Sequence, residues 1–292
     1  MIDTIELMRK VGNIRILTSH LVDEQLTGDY HSSFRGQGIE FDEVREYTFG
    51  DDIRDIDWNV TARTGFPYVK RYSEERELTV MFVVDVSGSQ SYGSASRLKS
   101  ELAAELTCLL SLTSIRNQDN IGLILFSDRI VKTIPPRKGR KAVMRLVREV
   151  LAADEAYGGT DIAGALNFLA SILHRKAVVF LVSDFQDTGW EKRIGTTAQR
   201  HDLICCYLSD PYEKTLPNVG LVELEDPETG EAVWIDTSSK EVRNAFEANA
   251  EKRTGELKDI FKSNGIDTMF FSTDEDPIHA VRAFFRQRAR RR

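Results

Sequence analysis

The stretch that most constrains the fold is the apolar run Val80-Met81-Phe82-Val83-Val84, which stops at Asp85. Five apolar residues without polar alternation suit a strand buried on both faces, the kind found inside parallel sheets covered by helices on either side. The rest of the chain repeats the theme. Leu98, Leu102, Leu106 and Leu109 recur at helical spacing. A strand is expected at 121–126, with an edge hairpin partner at 130–134 stopped by Pro135-Pro136. Helices are marked by Val143, Leu146, Val147 and Val150, and by Ile162, Leu166, Leu169 and Leu173. Then come a strand at 177–183, a helix near 189–200 and a strand at 203–208. A hairpin follows, with strands at 219–224 and 232–235 around Asp226-Pro227-Glu228-Thr229-Gly230. A long helix at about 238–262, a strand at 267–271 and a last helix from Pro277 complete the order. Strands alternating with helices predict an α/β fold with a doubly wound, mostly parallel sheet. Ligands of such sheets lie at the carboxyl ends of the strands.

The pattern divides at about residue 78. Residues 78–292 read as the α/β domain, with a hairpin insertion near 219–236, and residues 1–77 as a smaller N-terminal module of a helix and short strands. Within the module, Ile5, Met8, Val11, Ile14, Leu17 and Leu21 predict a helix over 2–21. Residues 30–78 combine glycines with dense charge, including Arg45, Asp51, Asp52, Arg54, Asp55 and Asp57, and with aromatics such as Phe49 and Trp58. Two readings coexist: a salt-bridged brace that docks the segment on the α/β domain with Trp58 as apolar anchor, and a composite surface for a partner.

Bulk composition removes several functional classes. With 41% hydrophobic and 29% charged residues the chain reads as globular. Its net charge of −7 repels phosphate backbones, so nucleic acid is a poor partner. The exception is the basic end Arg286-Gln287-Arg288-Ala289-Arg290-Arg291-Arg292, which reads as a solvated helix terminus or as a contact with a partner or an anionic lipid surface. No apolar run reaches the roughly 20 residues of a membrane span, and the acidic start Met1-Ile2-Asp3-Thr4-Ile5-Glu6 has no basic-then-apolar leader. Cys108, Cys205 and Cys206 lack metal-type spacing and read as small apolar residues in a reducing compartment. A cytoplasmic protein is expected.

Three strand ends or adjacent loops carry small oxygen-bearing residues: Asp85-Val86-Ser87-Gly88-Ser89, Gly158-Gly159-Thr160-Asp161 and Ser183-Asp184. Gly88 lets the first loop curl, so that a carboxylate and two hydroxyls turn toward one point. Hydroxyl, carboxylate and water are hard ligands suited to Mg²⁺ or Mn²⁺, and no His or Cys stands nearby to favour zinc. Two carboxylates balance a divalent ion, while neutral hydroxyls leave it receptive to one more anionic ligand from outside. Each piece also has a plain reading as a turn or helix cap; the combination on an alternating α/β pattern is what carries weight.

With these residues the chain resembles the von Willebrand factor A-type domain, whose metal-ion-dependent adhesion site has the pattern Asp-x-Ser-x-Ser, then Thr, then Asp. The resemblance implies a metal set of Asp85, Ser87, Ser89, Thr160 and Asp184. Ser87 and Ser89 would coordinate directly, Thr160 directly or through water, and Asp85 and Asp184 largely through water or as acceptors behind the ligands. The family often has Gly after the final Asp, where this chain has Phe185.

The segments Gly36-Gln37-Gly38-Ile39-Glu40-Phe41, Arg45-Glu46-Tyr47, Gly50-Asp51-Asp52-Ile53-Arg54-Asp55-Ile56-Asp57-Trp58 and Ala62-Arg63 resemble the bacterial domain-of-unknown-function family fifty-eight, which joins such a module to a von Willebrand A-like domain. Its members are often encoded beside MoxR-type AAA+ ATPases, so the resemblance implies an adaptor or partner of such an ATPase. The expected function is therefore a metal-dependent protein-interaction module and not an enzyme. The alternative is a Mg- or Mn-dependent nuclease or phosphatase using Asp85, Asp161 and Asp184. The chain has no Gly-x-Ser-x-Gly elbow and no P-loop, so any ATP hydrolysis falls to a partner.

Overall fold

Alternation of side chains along fully buried strands sorts the core into two faces. In the computed structural model, which describes residues 9, 11–14, 18, 21–34, 39–74, 77–94, 97–153, 159–225 and 232–291, strand β3 (Thr79–Asp85) is the centre of a six-stranded sheet. Val80, Phe82 and Val84 point to one face, into a cluster with Leu102, Leu106 and Val143. Met81 and Val83 point to the other, with Leu166, Ile194 and Phe261. Because successive residues of a strand face opposite ways, this one run commits the chain to helices on both sides.

The remaining strands of the sheet are β4 (Asn120–Phe126), β5 (Ile130–Arg137), β6 (Val178–Ser183), β7 (Asp202–Ser209) and β10 (Asp267–Ser272), in the spatial order β10-β7-β6-β3-β4-β5. All neighbouring pairs are parallel except β4–β5. The doubly wound, mostly parallel α/β fold expected from the sequence is what the chain adopts. The order reverses on either side of β3, which creates a crevice at the carboxyl ends of β3 and β6. Gly122 on β4 has a packing reason: a Cβ there would meet Met81 Sδ at 2.5 Å. Cys205 and Cys206 are buried and unbridged, one in each cluster.

Strand β5 departs from expectation. It runs through Pro135 and Pro136 to Arg137, because it lies at the sheet edge, where a missing N–H interrupts no central ladder. The hairpin β8 (Leu221–Glu225) with β9 (Ala232–Asp236) forms its own two-stranded sheet, and its connecting turn lies outside the described residues. Of the helix expected over 2–21, residues 9, 11–14, 18 and 21 are helical, while Ile5, Met8 and Leu17 lie outside the described residues.

Helix α1 (Glu24–Ser33) lies against the C-terminal helix Pro277–Arg291. Tyr30 donates to Asp119 Oδ2 at 2.8 Å and meets Phe285 edge-on, and Ser33 Oγ donates to the Phe285 carbonyl. This helix also corrects the reading of the basic C-terminus. Arg288 is 5% exposed, pairs with Asp202 and with Asp267 at 3.1 Å, and lies 4.7 Å over the Phe34 ring. Arg282 and Arg286 pair with Asp23 and Asp29 of the α1 region. These arginines clamp the last helix to the sheet and to α1; they are not simply a solvated end.

The charged N-terminal segment forms a second small sheet, β1 (Ile39–Glu46) with β2 (Tyr68–Glu74), bridged by helix α2 (Trp58–Thr64). Its charges close local turns. Arg45 grips Asp51 through two hydrogen bonds of 2.8 and 2.6 Å, Arg54 pairs with Asp52, and Asp57 caps α2 by accepting from the Asn59 and Val60 amides. Trp58 is 66% exposed, and Phe49, Ile53 and Phe66 are exposed as well. The reading of Trp58 as an inserted anchor is therefore wrong: the ring stands in solvent, and the ion pairs shape the module from within.

Candidate metal-binding site

The site is built where β3 and β6 end. The ladder carries one residue past β3, with Val86 N–H donating to the Phe126 carbonyl at 2.8 Å. The chain then folds back on its own carboxylate: Ser87 N–H donates to Asp85 Oδ1 at 3.0 Å. A 3₁₀ turn, Gly88–Ser91, follows. This curl brings Ser87 Oγ and Ser89 Oγ to 3.2 Å. Asp85, Ser87 and Ser89 are all buried.

The end of β6 locks onto the same carboxylate. Ser183 Oγ donates to Asp85 Oδ2 at 2.7 Å and accepts from Phe185 N–H at 3.0 Å. Both oxygens of Asp85 are thus engaged. Burial, reinforced by the charge of Asp184, holds the Asp85 carboxyl well above the usual carboxylate range. Phe185 has φ of 54°, the left-handed region that favours glycine. The backbone keeps the turn for which the resembled family commonly uses Gly. The strain is offset by packing of the buried Phe185 ring against Trp190 and Phe261.

Asp184 faces a buried cation. Lys99, the first residue of helix α3 (Lys99–Arg116), places Nζ 2.7 Å from Asp184 Oδ2 and 2.6 Å from Glu213 Oε1. Burial works against its ammonium form, but attraction to Asp184 and Glu213 outweighs this and raises the Lys99 pKa. Asp184 Oδ1 accepts from Gln186 N–H at 3.3 Å.

Thr160 stands on the second loop, half-buried, at the entrance to helix α4 (Ile162–Ile172). The loop is tied to the same sheet edge by Asp161 N–H donating to the Ser127 carbonyl at 2.8 Å. It is tied to the Asp184 loop by Ile162 N–H donating to Asp187 Oδ2 at 2.9 Å. Gly158 lies outside the described residues. Asp161 is exposed and caps α4 by accepting from Gly164 N–H. The carboxylate trio of the hydrolase alternative does not assemble: among the described residues no three His, Cys, Asp or Glu side chains group as a metal site.

Four residues at this edge escaped the sequence reading: Lys99, Asp187, Asp210 and Glu213. Asp210, fully buried, accepts from Ser94 N–H, Thr273 Oγ1 and Tyr212 N–H, and so ties the segment after the first loop to the ends of β7 and β10. Glu213 is oriented by Asp210 N–H donating to its Oε2 at 2.8 Å. The signal for Lys99 was a lysine opening an otherwise apolar-faced helix, where the helix dipole disfavours a cation.

The donors fit a small hard divalent ion. Ligands at adjacent corners of a Mg²⁺ octahedron stand about 3 Å apart, and the Ser87 and Ser89 hydroxyls are at that separation. Beside Asp184 a groove of about 410 Å³ opens, lined in part by Gln186, Trp190, Glu213, Lys214 and Arg253.

The chain is similar to the uncharacterized protein Rv1480 of Mycobacterium tuberculosis (strain H37Rv), 28% identical over 292 residues, covering 99% of this chain and 92% of that one. Among solved structures it is similar to the conserved hypothetical protein BatB of Bacteroides thetaiotaomicron, with 15% identity, a TM-score of 0.45, and 73% of this chain and 99% of that one covered. It is also similar to the SpRpn10 VWA domain, with 10% identity, a TM-score of 0.38, and 72% and 95% covered. The model of the family described as protein of unknown function DUF58 matches residues 43–256, and the chain belongs to that family.

Proposed function

We propose that this protein is a metal-dependent protein-interaction module. Ser87 and Ser89, with Thr160 from the second loop, hold a Mg²⁺ or Mn²⁺ ion, and Asp85 and Asp184 stand behind them. The observation that carries this reading is the pair of buried hydroxyls 3.2 Å apart over a carboxylate whose two oxygens are already fixed. When bound, the ion supplies a Lewis-acidic position for a carboxylate of a partner. The chain's own residues do the rest. Asp85 holds the Ser87 amide and the Ser183 hydroxyl, so the first and third loops move as one. Lys214 and Arg253 offer cationic contacts in the adjoining groove.

The partner we favour is a MoxR-type AAA+ ATPase, following the family resemblance. The exposed Phe49, Ile53, Trp58 and Phe66 of the N-terminal module give it a second, apolar contact. The test is capture of a MoxR-type AAA+ ATPase by the tagged protein, with Mg²⁺ or with EDTA. Capture that is lost with EDTA and in Ser89→Ala supports the reading; capture indifferent to both sinks it.

A further inference from the structure

Lys99 is placed against two physical penalties. It is fully buried, and it opens α3, where the N-terminal end of the helix dipole repels a cation. An ammonium in such a place persists only when carboxylates surround it closely, and two do, at 2.7 and 2.6 Å. Glu213 reaches it from the turn after β7 and is itself held by the Asp210 amide. One of the two carboxylates is Asp184, a member of the candidate metal set.

We propose that Lys99 is a built-in counter-ion of the metal site: it holds Asp184 in its metal-ready position when no ion is present, and by the same contact it weakens the attraction of the site for a divalent ion. This rests on the metal-site reading above and deepens it. The Lys99 ammonium offsets one of the two carboxylate charges that Asp184 and Glu213 bring to this edge. A divalent ion then meets a balanced site instead of an over-attractive one. Glu213 sets how much of the ammonium is shared: with Glu213 present Lys99 divides its charge between two carboxylates, and without it the whole charge falls to Asp184. The arrangement suits reversible binding, in which a partner's carboxylate decides whether the ion stays.

The inference predicts opposite effects for two neutralising substitutions, which a merely structural role would not produce. Mn²⁺ is the probe, with free ion read by electron paramagnetic resonance on the full-length protein. Lys99→Met should tighten Mn²⁺ binding by about tenfold or more, and Glu213→Gln should weaken it by a similar factor, since one unit charge is removed close to the ion in each case. If wild type binds Mn²⁺ but Lys99→Met binds no tighter, the counter-ion role is refuted while the metal site stands. If Lys99→Met does not fold, Glu213→Gln decides: unchanged or tighter binding overturns the proposal. If neither wild type nor either variant binds Mn²⁺, the metal-site reading falls and this inference with it.

Discussion

Phe185 offers a test in which the usual ranking of two substitutions reverses. Its φ of 54° costs a side-chain-bearing residue roughly 1–2 kcal/mol relative to glycine. Its buried ring packs on Trp190 and Phe261 at centroid distances of 5.5 and 5.1 Å. Removing a buried phenylalanine ring costs about 3–5 kcal/mol, so Phe185→Ala should lose that much and keep the backbone strain. Phe185→Gly loses the same ring but sheds the strain. In ordinary strand or helix positions Gly is less stable than Ala by about 0.5–1 kcal/mol; here Phe185→Gly should be the more stable of the two by about 1 kcal/mol. Urea unfolding followed by circular dichroism measures this directly, with equal m values for the two variants. The melting temperatures should differ by about 2–4 °C in favour of Gly. Equal stability, or an advantage for Ala, would mean that the turn after Asp184 is not left-handed.

Other consequences can be measured separately. Burial raises the Asp119 carboxyl to about 6, against the hydrogen bonds it accepts from Leu78 N–H and Tyr30. The folded state therefore binds the extra proton between the ordinary carboxylate range and about pH 6, and this contribution to stability, about 3 kcal/mol, is present below pH 4 and lost as pH rises through 6. Asp119→Asn should flatten that part of the pH–stability curve; an unchanged slope would contradict the assignment. Arg288→Met removes the partner of Asp202 and Asp267 and should cost about 3–5 kcal/mol, read as a lower melting temperature; a loss below 1 kcal/mol would show that the clamp is not needed. Trp58→Ala, in contrast, should change stability by no more than about 0.5 kcal/mol while reducing capture of the proposed ATPase partner; a large drop in melting temperature would restore the reading of Trp58 as an anchor.

The fold was legible because its signals are local. The run Val80–Val84 had to be buried on both faces, and the leucine spacings around it placed the helices. The first loop was equally readable, since Asp85, Ser87 and Ser89 lie within five residues and curl on themselves. What escaped were residues whose roles depend on distant partners. Lys99 meets Asp184 across 85 positions and Glu213 across 114, and Asp210 meets Ser94 across 116. Nothing in a local window announces such pairs. Trp58 was misread for a related reason: dense charges predicted a brace, but Arg45 with Asp51, and Arg54 with Asp52, satisfy one another within the module and leave the ring outside. Pro135 and Pro136 predict a strand end from the sequence alone, but at a sheet edge proline is tolerated and the strand runs through them.

The central claim is that two buried hydroxyls, on a loop held by one fixed carboxylate, cradle a divalent ion. Equilibrium dialysis of the purified protein against Mn²⁺ addresses it without any partner. The account predicts one ion per chain for wild type, and none for the Ser87→Ala/Ser89→Ala double variant at an unaltered circular dichroism spectrum. No ion on the wild-type chain, or the same stoichiometry and affinity in the double variant, would contradict it.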